Sequence, residues 1–261
     1  FFKLNPYIES EWVQFVTKIE YDIWVVNEII PYKKIEEVED FRPQNGMNFK
    51  TNNKNYSIVL MSVAKGAPYE DKISEDGKEI IYEGHNLNKR YCKNKDPKTF
   101  DQPVALPNGK LTQNGKFAKA AHFFKDALKE PEKIRVYQKI KPGMWTFNGV
   151  FNLVDVWEEK SENRTVFKFK LILTNEKVEG YQVNTSDMIE DNRVIPGDVQ
   201  IEVYNRDKGQ CVKCGSTEHI HYDHIYPFSK GGTSKDAKNI QLLCRKHNLK
   251  KSDKIGGWKN F

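Results

Sequence analysis

The sequence predicts an α+β chain of two unequal units, a strand-rich front half and a small metal-stapled tail. Three observations predict it. Segments with β-rich or period-two character recur between residues 56 and 173. A polar and acidic stretch, KVEGYQVNTSDMIEDNRV at 177–194, then interrupts the pattern. Beyond it, three of the four cysteines fall in paired spacing with a histidine. The expected divisions are 1–39 as an N-terminal extension or the start of the front domain, 40–176 as that domain, 177–194 as a linker, and 195–261 as the tail domain.

The elements follow in order. Residues 1–40 mix aromatic and acidic stretches (ESEWVQFVTKIEYDIWVV) and read as mixed helix and strand. YSIVLMSV, KEIIYEG, IRVYQKI, VFNLVDVW and TVFKFKLIL read as strands; alternation is clearest where Phe167, Phe169 and Leu171 oppose Lys168 and Lys170. One helix interrupts them, because Phe117, Ala121, Phe124 and Leu128 recur at helical spacing and form a core stripe. Residues 84–119 show little periodicity, and positions 86–119 carry eight Lys and Arg against two Asp. Such a stretch is either a solvated loop or a basic arm on a phosphate backbone. Pro196 opens a helix through IPGDVQIEVYNRDKGQ. HIHYDHIYPF reads as two short strands, SKGG as the loop after them, and CRKHNLKKSDK as a closing helix.

Composition narrows the classes. With 38% hydrophobic and 12% aromatic residues, the 261-residue chain has material for packed cores. The longest apolar run, YSIVLMSVA, is too short to cross a bilayer, so no membrane partner is expected. The chain opens on Phe1, as a processed or partial chain would. The net charge of +6 resides in residues 201–261, with 12 Lys and Arg against 6 Asp and Glu, which suits either a polyanionic partner or a solvated lysine surface. The cysteine usage, with Cys92 isolated, fits a reducing, cytoplasmic compartment better than a disulfide framework.

Cys211-x2-Cys214 and Cys244-x2-His247 are two chelating pairs, and a two-residue gap lets a tight turn or a helix start present two ligands to one tetrahedral zinc. A tail this small needs such a staple. His247 therefore closes a structural Zn2+ site with no open position. Between the pairs lies a second constellation. Asp223 and Asn248 offer a carboxylate and an amide oxygen, the donors a hard cation such as Mg2+ or Mn2+ prefers. His224 is the natural general base for water attacking phosphorus. Asn239 either braces the loop or orients His224. His219 and His221 read as spectators or DNA-facing groups.

The run RDKGQCVKCG, HYDHIYPFSKGG, KNIQLLCRKHN, LKKS, from Arg206 to Ser252, resembles the HNH endonuclease family with its ββα-metal fold. The resemblance implies His224 as general base, Asn239 as the middle asparagine, and Asp223 with Asn248 as ligands of the catalytic cation. One departure is visible: many zinc-stapled members end in CxxC, where this chain has CxxH.

In the front half, Tyr69 and Tyr82 flank a glycine-containing turn with Asp71 near the first. Two aromatic rings can sandwich a planar base and a carboxylate can accept from a cytosine amino group; an ordinary hairpin with two core tyrosines is the plainer alternative. PYEDKISEDGKEIIYEGH, NKR, DQ, GKLTQNGKFAKA, IRVYQKI, WTFNGVFNLVDVW and VFKFKLIL are similar, in order, to the landmarks of SRA domains over about residues 40–175. That resemblance implies a curved β-barrel with flanking helices that flips 5-methylcytosine or 5-hydroxymethylcytosine out of duplex DNA. By it, Tyr69 and Tyr82 stack on the base, Asp71 bonds its edge, Glu83 and Gly84 line the pocket by their backbone, and Asn88, Lys89 and Arg90 enter a groove. Lys116 joins the expected DNA contacts. The tyrosine spacing is one residue longer than the eukaryotic pattern, and Glu83 replaces the usual threonine.

Reader followed by cutter resembles prokaryotic modification-dependent restriction endonucleases. The expectation is recognition of modified cytosine in double-stranded DNA and hydrolysis of a nearby phosphodiester, associated with the nucleoid. A homodimer would supply the second strand's cut. The rival readings are a nuclease indifferent to modification, a non-catalytic reader, and an RNA-directed nuclease.

Overall fold

A computed structural model describes residues 26–43, 45–62, 69–174 and 193–251. The segment 1–25 and most of the expected linker lie outside the described residues.

Ten strands form one sheet. They are β1 (Glu28–Pro31), β2 (Met47–Asn48), β3 (Ser57–Met61), β4 (Lys72–Ile73), β5 (Glu79–Glu83), β6 (Glu132–Lys141), β7 (Met144–Ser161), β8 (Arg164–Leu173), β9 (Ile220–His224) and β10 (Ile240–Cys244). The main path runs β10-β9-β1-β7-β6-β3-β2, and a branch continues from β7 through β8 and β5 to β4. Among the described residues only β3 and β6 pair in parallel. The helices described there are α1 (Tyr32–Glu39), α2 (Gln113–Lys125), α3 (Gly197–Arg206) and α4 (Arg245–Lys251).

The long β7 makes the curvature. Its first four residues pair with β1, residues Met144 to Leu153 pair with β6 along the other edge, and its far half pairs with β8. At the β6–β7 register shift between Val136 and Tyr137, Gly149 takes φ +107°, and a Cβ there would lie 2.9 Å from the Leu173 side chain. The bulge bends the sheet around one apolar cluster in which Met47, Val59, Ile80, Tyr82, Phe117, Phe151 and Phe169 are buried together. The expected curved barrel thus takes the form of a curled sheet with α2 packed in its concavity.

Each of the five predicted front strands is present. Two details differ from expectation. The helix stripe holds at Phe117 and Ala121, but α2 ends at Lys125 and Leu128 is exposed. Ala127 takes φ +54°, which turns the chain away before Leu128 can continue the stripe. In β8, Phe167, Phe169 and Leu171 are buried as predicted, yet Lys168 on the opposite face is buried too, held by Glu83 directly across the strand pair. The stretch before α2 is not featureless either: it contains 3-10 turns at Lys89–Tyr91 and Pro97–Thr99, and Thr112 caps α2 by accepting from Gly115 N–H.

In the tail, HIHYDHIYPF yields one strand rather than two. Pro227 and the turn at Phe228–Lys230 stop it, and the partner of β9 is β10, antiparallel from His224↔Ile240 to Cys244↔Ile220. Strand β9 also joins β1 at Glu28↔His221, so tail and front share one sheet.

A second buried cluster fixes α1 to the sheet. Glu39 accepts from Tyr56 at 2.8 Å, from Tyr137, and from Arg135 Nη1 at 3.0 Å, and the Arg135 guanidinium lies 3.9 Å from the Tyr56 ring centroid. Glu39→Ala removes the buried carboxylate that Tyr56, Tyr137 and Arg135 share and is expected to cost about 3–5 kcal/mol. Urea denaturation midpoints check it, and adding Arg135→Met is expected to recover part of the loss.

Candidate functional site

The β4–β5 hairpin places the aromatic and acidic side chains of the front site. A cavity of about 590 Å³ is lined by Tyr69, Asp71 and Tyr82, and on other walls by Tyr32, Lys139 and Trp145. Three of the five expected pocket residues therefore meet at one opening. Tyr82 is fully buried in its strand, while Tyr69 stacks on His85 with ring centroids 6.0 Å apart. Burial raises the pKa of both phenols, so they are neutral rings at physiological pH. Gly46 lets the β2 approach pass across this wall: a Cβ there would lie 2.6 Å from Tyr82 Oη and 2.8 Å from His85 Nε2.

Asp71 is half-exposed to the cavity, yet protein surrounds its carboxyl closely. Desolvation pushes its pKa up to about 7, opposed by the hydrogen bond that Glu83 N–H donates to Oδ1 at 2.9 Å. Glu83 itself turns away. Its carboxylate is buried between Lys168 at 2.9 Å and Arg164 at 3.1 Å, and it also accepts from Glu70 N–H. Neither Glu83 nor Gly84 lines the cavity. Gly84 is needed for close approach, since a Cβ would lie 2.6 Å from Gln102 Oε1 and 2.8 Å from Asn114 Oδ1. Those amides clamp the backbone behind the cavity: Gln102 donates to Gly84 O at 2.7 Å, and Asn114 exchanges two bonds with the His85 backbone. His85, Gln102 and Asn114 escaped the sequence reading; the only local signal was the GH and DQ pairs within the matched landmarks. Asn88, Lys89 and Arg90 form an exposed 3-10 turn capped by the Asn88 side chain, and Lys116 sits half-buried on α2.

The second site lies in the tail. Cys211 and Cys214 stand in a turn after α3, Cys244 ends β10 and His247 lies in the first turn of α4. Their ligand atoms all fall within 4.8 Å of one another. Cys214 Sγ and Cys244 Sγ are 3.8 Å apart, and His247 Nδ1 lies 3.5 Å from Cys211 Sγ and 3.2 Å from Cys244 Sγ. Tetrahedral zinc with bonds of about 2.3 Å to sulfur and ~2.0 Å to nitrogen has edges near 3.8 and 3.5 Å. The donor set and its spacing fit that ion.

Beside it, Asp223 and His224 occupy the end of β9. His224 is buried and its Nε2 lies 2.8 Å from Ser234 Oγ. Asn239 braces the intervening loop, accepting from Tyr226 N–H at 2.8 Å and donating to Tyr226 O and Thr233 O. These bonds tie Asn239 to the loop, and the His224 Nε2 contact is with Ser234. Asp223 accepts from Gln241 at 2.9 Å and lies 3.1 Å from Lys251 Nζ, which also donates to His224 O at 2.6 Å. Asn248 is half-buried three residues before Lys251, on the same side of α4. Lys251 and Ser234 were missed; the three-residue step from Asn248 to Lys251 was the available signal for the lysine. His219 makes a 3.2 Å contact with Glu28, and the buried His221 has neither ring nitrogen hydrogen-bonded.

Residues 40–177 match the family model of the SAD/SRA domain. The chain belongs to that family. Residues 211–254 match the HNH endonuclease model, so an HNH domain follows the SAD/SRA domain. No curated protein matches the sequence. Among solved structures, the chain is similar to the SUVH5 SRA domain in complex with hemimethylated CG DNA, at 20% identity and TM-score 0.41, over 59% of this chain and 90% of that one. The modification-dependent TagI restriction endonuclease is matched at 18% identity and TM-score 0.38, over 87% and 77%. The DNA recognition domain of LpnPI, a cytosine modification-dependent restriction endonuclease, is matched at 11% and 0.42, over 60% and 77%. No helix among the described residues is long and apolar enough to cross a membrane.

Two outcomes follow from the geometry. Metal analysis of purified protein is expected to find one zinc per chain, and stripping it is expected to unfold the tail while the front sheet keeps its circular dichroism. For Asp71 the folded pKa lies above the unfolded value of 3.8. Between about pH 4 and 7 the unfolded chain therefore gives up this proton first, and the native state loses stability as pH rises through that window. Asp71→Asn stays neutral throughout. Its stability relative to wild type is expected to climb from pH 4 to about 7 and then level off, as urea midpoints across that range would record.

Proposed function

We propose that the chain is a modification-dependent DNA endonuclease. The front cavity takes a flipped 5-methylcytosine or 5-hydroxymethylcytosine from duplex DNA, and the HNH site hydrolyses a nearby phosphodiester. The observation that carries the reading is the meeting of Tyr69, Asp71 and Tyr82 in one cavity of a SAD/SRA-family chain that also carries an HNH domain. Aromatic rings give a base its stacking surface, and the Asp71 carboxylate accepts from the cytosine amino group. Asn88, Lys89, Arg90 and Lys116 are the groove and phosphate contacts in this reading.

In the HNH site, His224 takes the proton of a water whose oxygen attacks phosphorus. The bond from phosphorus to the leaving oxygen breaks, and that oxygen is protonated from solvent. Asp223 and Asn248 would hold a divalent cation, Mg2+ or Mn2+, which when bound stabilises charge on the phosphate and on the leaving oxygen. Their oxygen donors suit such an ion; Lys251 already shares the Asp223 carboxylate, so ion loading has to share or displace the ammonium. Ser234 fixes the imidazole, and Asn239 holds the loop that carries Ser234's neighbours. Two chains, each cutting one strand, would make a double-strand break.

The test is digestion of matched duplexes carrying cytosine, 5-methylcytosine or 5-hydroxymethylcytosine, each with Mg2+, Mn2+ or chelator. Cutting confined to modified duplexes and abolished by chelator is expected, and equal rates on all three would refute the reader assignment. His224→Ala is expected to lower cutting by about 10²–10⁴-fold while gel-shift binding persists. Unchanged cutting would remove the histidine from the reaction.

A further inference from the structure

We infer that the distance between the recognised base and the cut is fixed by the fold itself, through two junctions between reader and HNH domain, the second made by the last two residues before the HNH domain, and not by the length of the connecting segment. The inference rests on the functional reading above and adds what sets the cut position.

The first junction is β1. It pairs with β7 of the reader over Glu28–Pro31, and its edge meets β9, with Glu28 opposite His221 and Tyr222 N–H donating to Asn27 O at 3.1 Å. Catalytic Asp223 and His224 continue that same strand. Below the junction lies an apolar cluster with members from both sides: Ile29 and Ile140 of the reader sheet are buried with Val199, Tyr222 and Leu242 of the HNH domain. A shared, close-packed core transmits displacement instead of absorbing it.

The second junction is the turn of the β4–β5 hairpin, the element whose other end carries Asp71 and Tyr82. Val194 N–H donates to Gly77 O at 2.9 Å, and Arg193 Nη1 donates to Asp76 O at 2.8 Å. The Arg193 guanidinium also lies 3.8 Å from the centroid of Phe228, in the HNH loop just past His224. Gly77, at φ +66°, permits the approach, since a Cβ would meet Val194 O at 2.7 Å. One hairpin therefore ties the base cavity to the catalytic loop. With β1 as the other attachment, rotation about either contact alone is blocked.

A tether would behave differently. An insertion of about twenty Gly and Ser residues would lengthen a flexible tether of about 18 residues from ~23 to ~34 Å root-mean-square, roughly three nucleotides at ~3.4 Å each. The experiment places such an insertion between Asn184 and Thr185 of the full chain and digests a duplex with one modified cytosine, mapping every cut by end sequencing. A single offset, unchanged by the insertion, is expected, with the thermal midpoint also unchanged. The double variant Ile29→Ala, Arg193→Ala weakens both junctions and is expected to spread the cuts over neighbouring positions; an unchanged pattern counts against the junctions. Wild-type cuts scattered over several nucleotides, or an insertion that moves or broadens them, would overturn the inference while leaving modification-dependent cleavage intact. Equal cutting of the unmodified duplex would instead remove the reader assignment, and the fixed offset with it.

Discussion

The buried carboxylate of Glu83 organises the reader. Removing a carboxylate from water costs several kcal/mol, and the fold offsets this with two buried cations, Lys168 and Arg164, that arrive from one strand. The same residue gives its backbone N–H to Asp71 and so fixes the acidic side chain at the cavity wall. Arg164 also bonds Asn86, and Gln102 reaches both Glu83 and Gly84, so the chain leaving β5 is drawn against β8. Removing Glu83 would leave two cations facing each other in the interior. The network is therefore a requirement on the fold before it is an aid to recognition.

That network also explains the departure at position 83 from the family's usual threonine. A threonine is short and would remain near the cavity wall; the longer glutamate reaches past it to Lys168 and Arg164. Asp71 is left as the acidic group at the opening, with a pKa near 7 because burial disfavours its charge. A group that destabilises the empty protein at neutral pH, yet is positioned by a dedicated hydrogen bond, is what a binding site retains at the expense of stability.

Much of this was legible in the sequence, for identifiable reasons. Period-two alternation exposed β8, and the CxxC and CxxH pairs pointed to the four side chains that cluster in the tail, because both signals are local and survive without tertiary knowledge. Tyr69, Asp71 and Tyr82 were found by likeness to a family, since nothing in their spacing distinguishes a base pocket from a hairpin. What stayed hidden is long-range. Gln102 and Asn114 act on backbone 18 and 29 residues away. Lys251 pairs with a carboxylate 28 residues upstream, and β10 was overlooked because NIQLL sits between two stronger signals, the glycine loop and the zinc pair. Lys168 was assigned to a solvent face by alternation, and only the register of β5 against β8 reveals its buried partner.

The least legible element, β1, is also the one that relates the two domains. Its sequence, EIIP, has no alternation and ends in proline, and it lies within residues expected to be an extension or the start of the front domain. Pro31 is tolerated because the strand stops there and α1 begins at Tyr32. Four residues bury Ile29 in the cluster shared with the HNH domain and Ile30 against Tyr137 and Phe147 of the reader. Adjacent side chains on a strand point to opposite faces, so one short strand reaches both cores at once. The Cys3His cluster lies within the HNH domain and does not by itself set how that domain sits against the SAD/SRA sheet. Orientation comes from β1 and from the hairpin turn. A modular sequence thus folds as one sheet, and the separation into two family matches is a property of the residues rather than of the architecture.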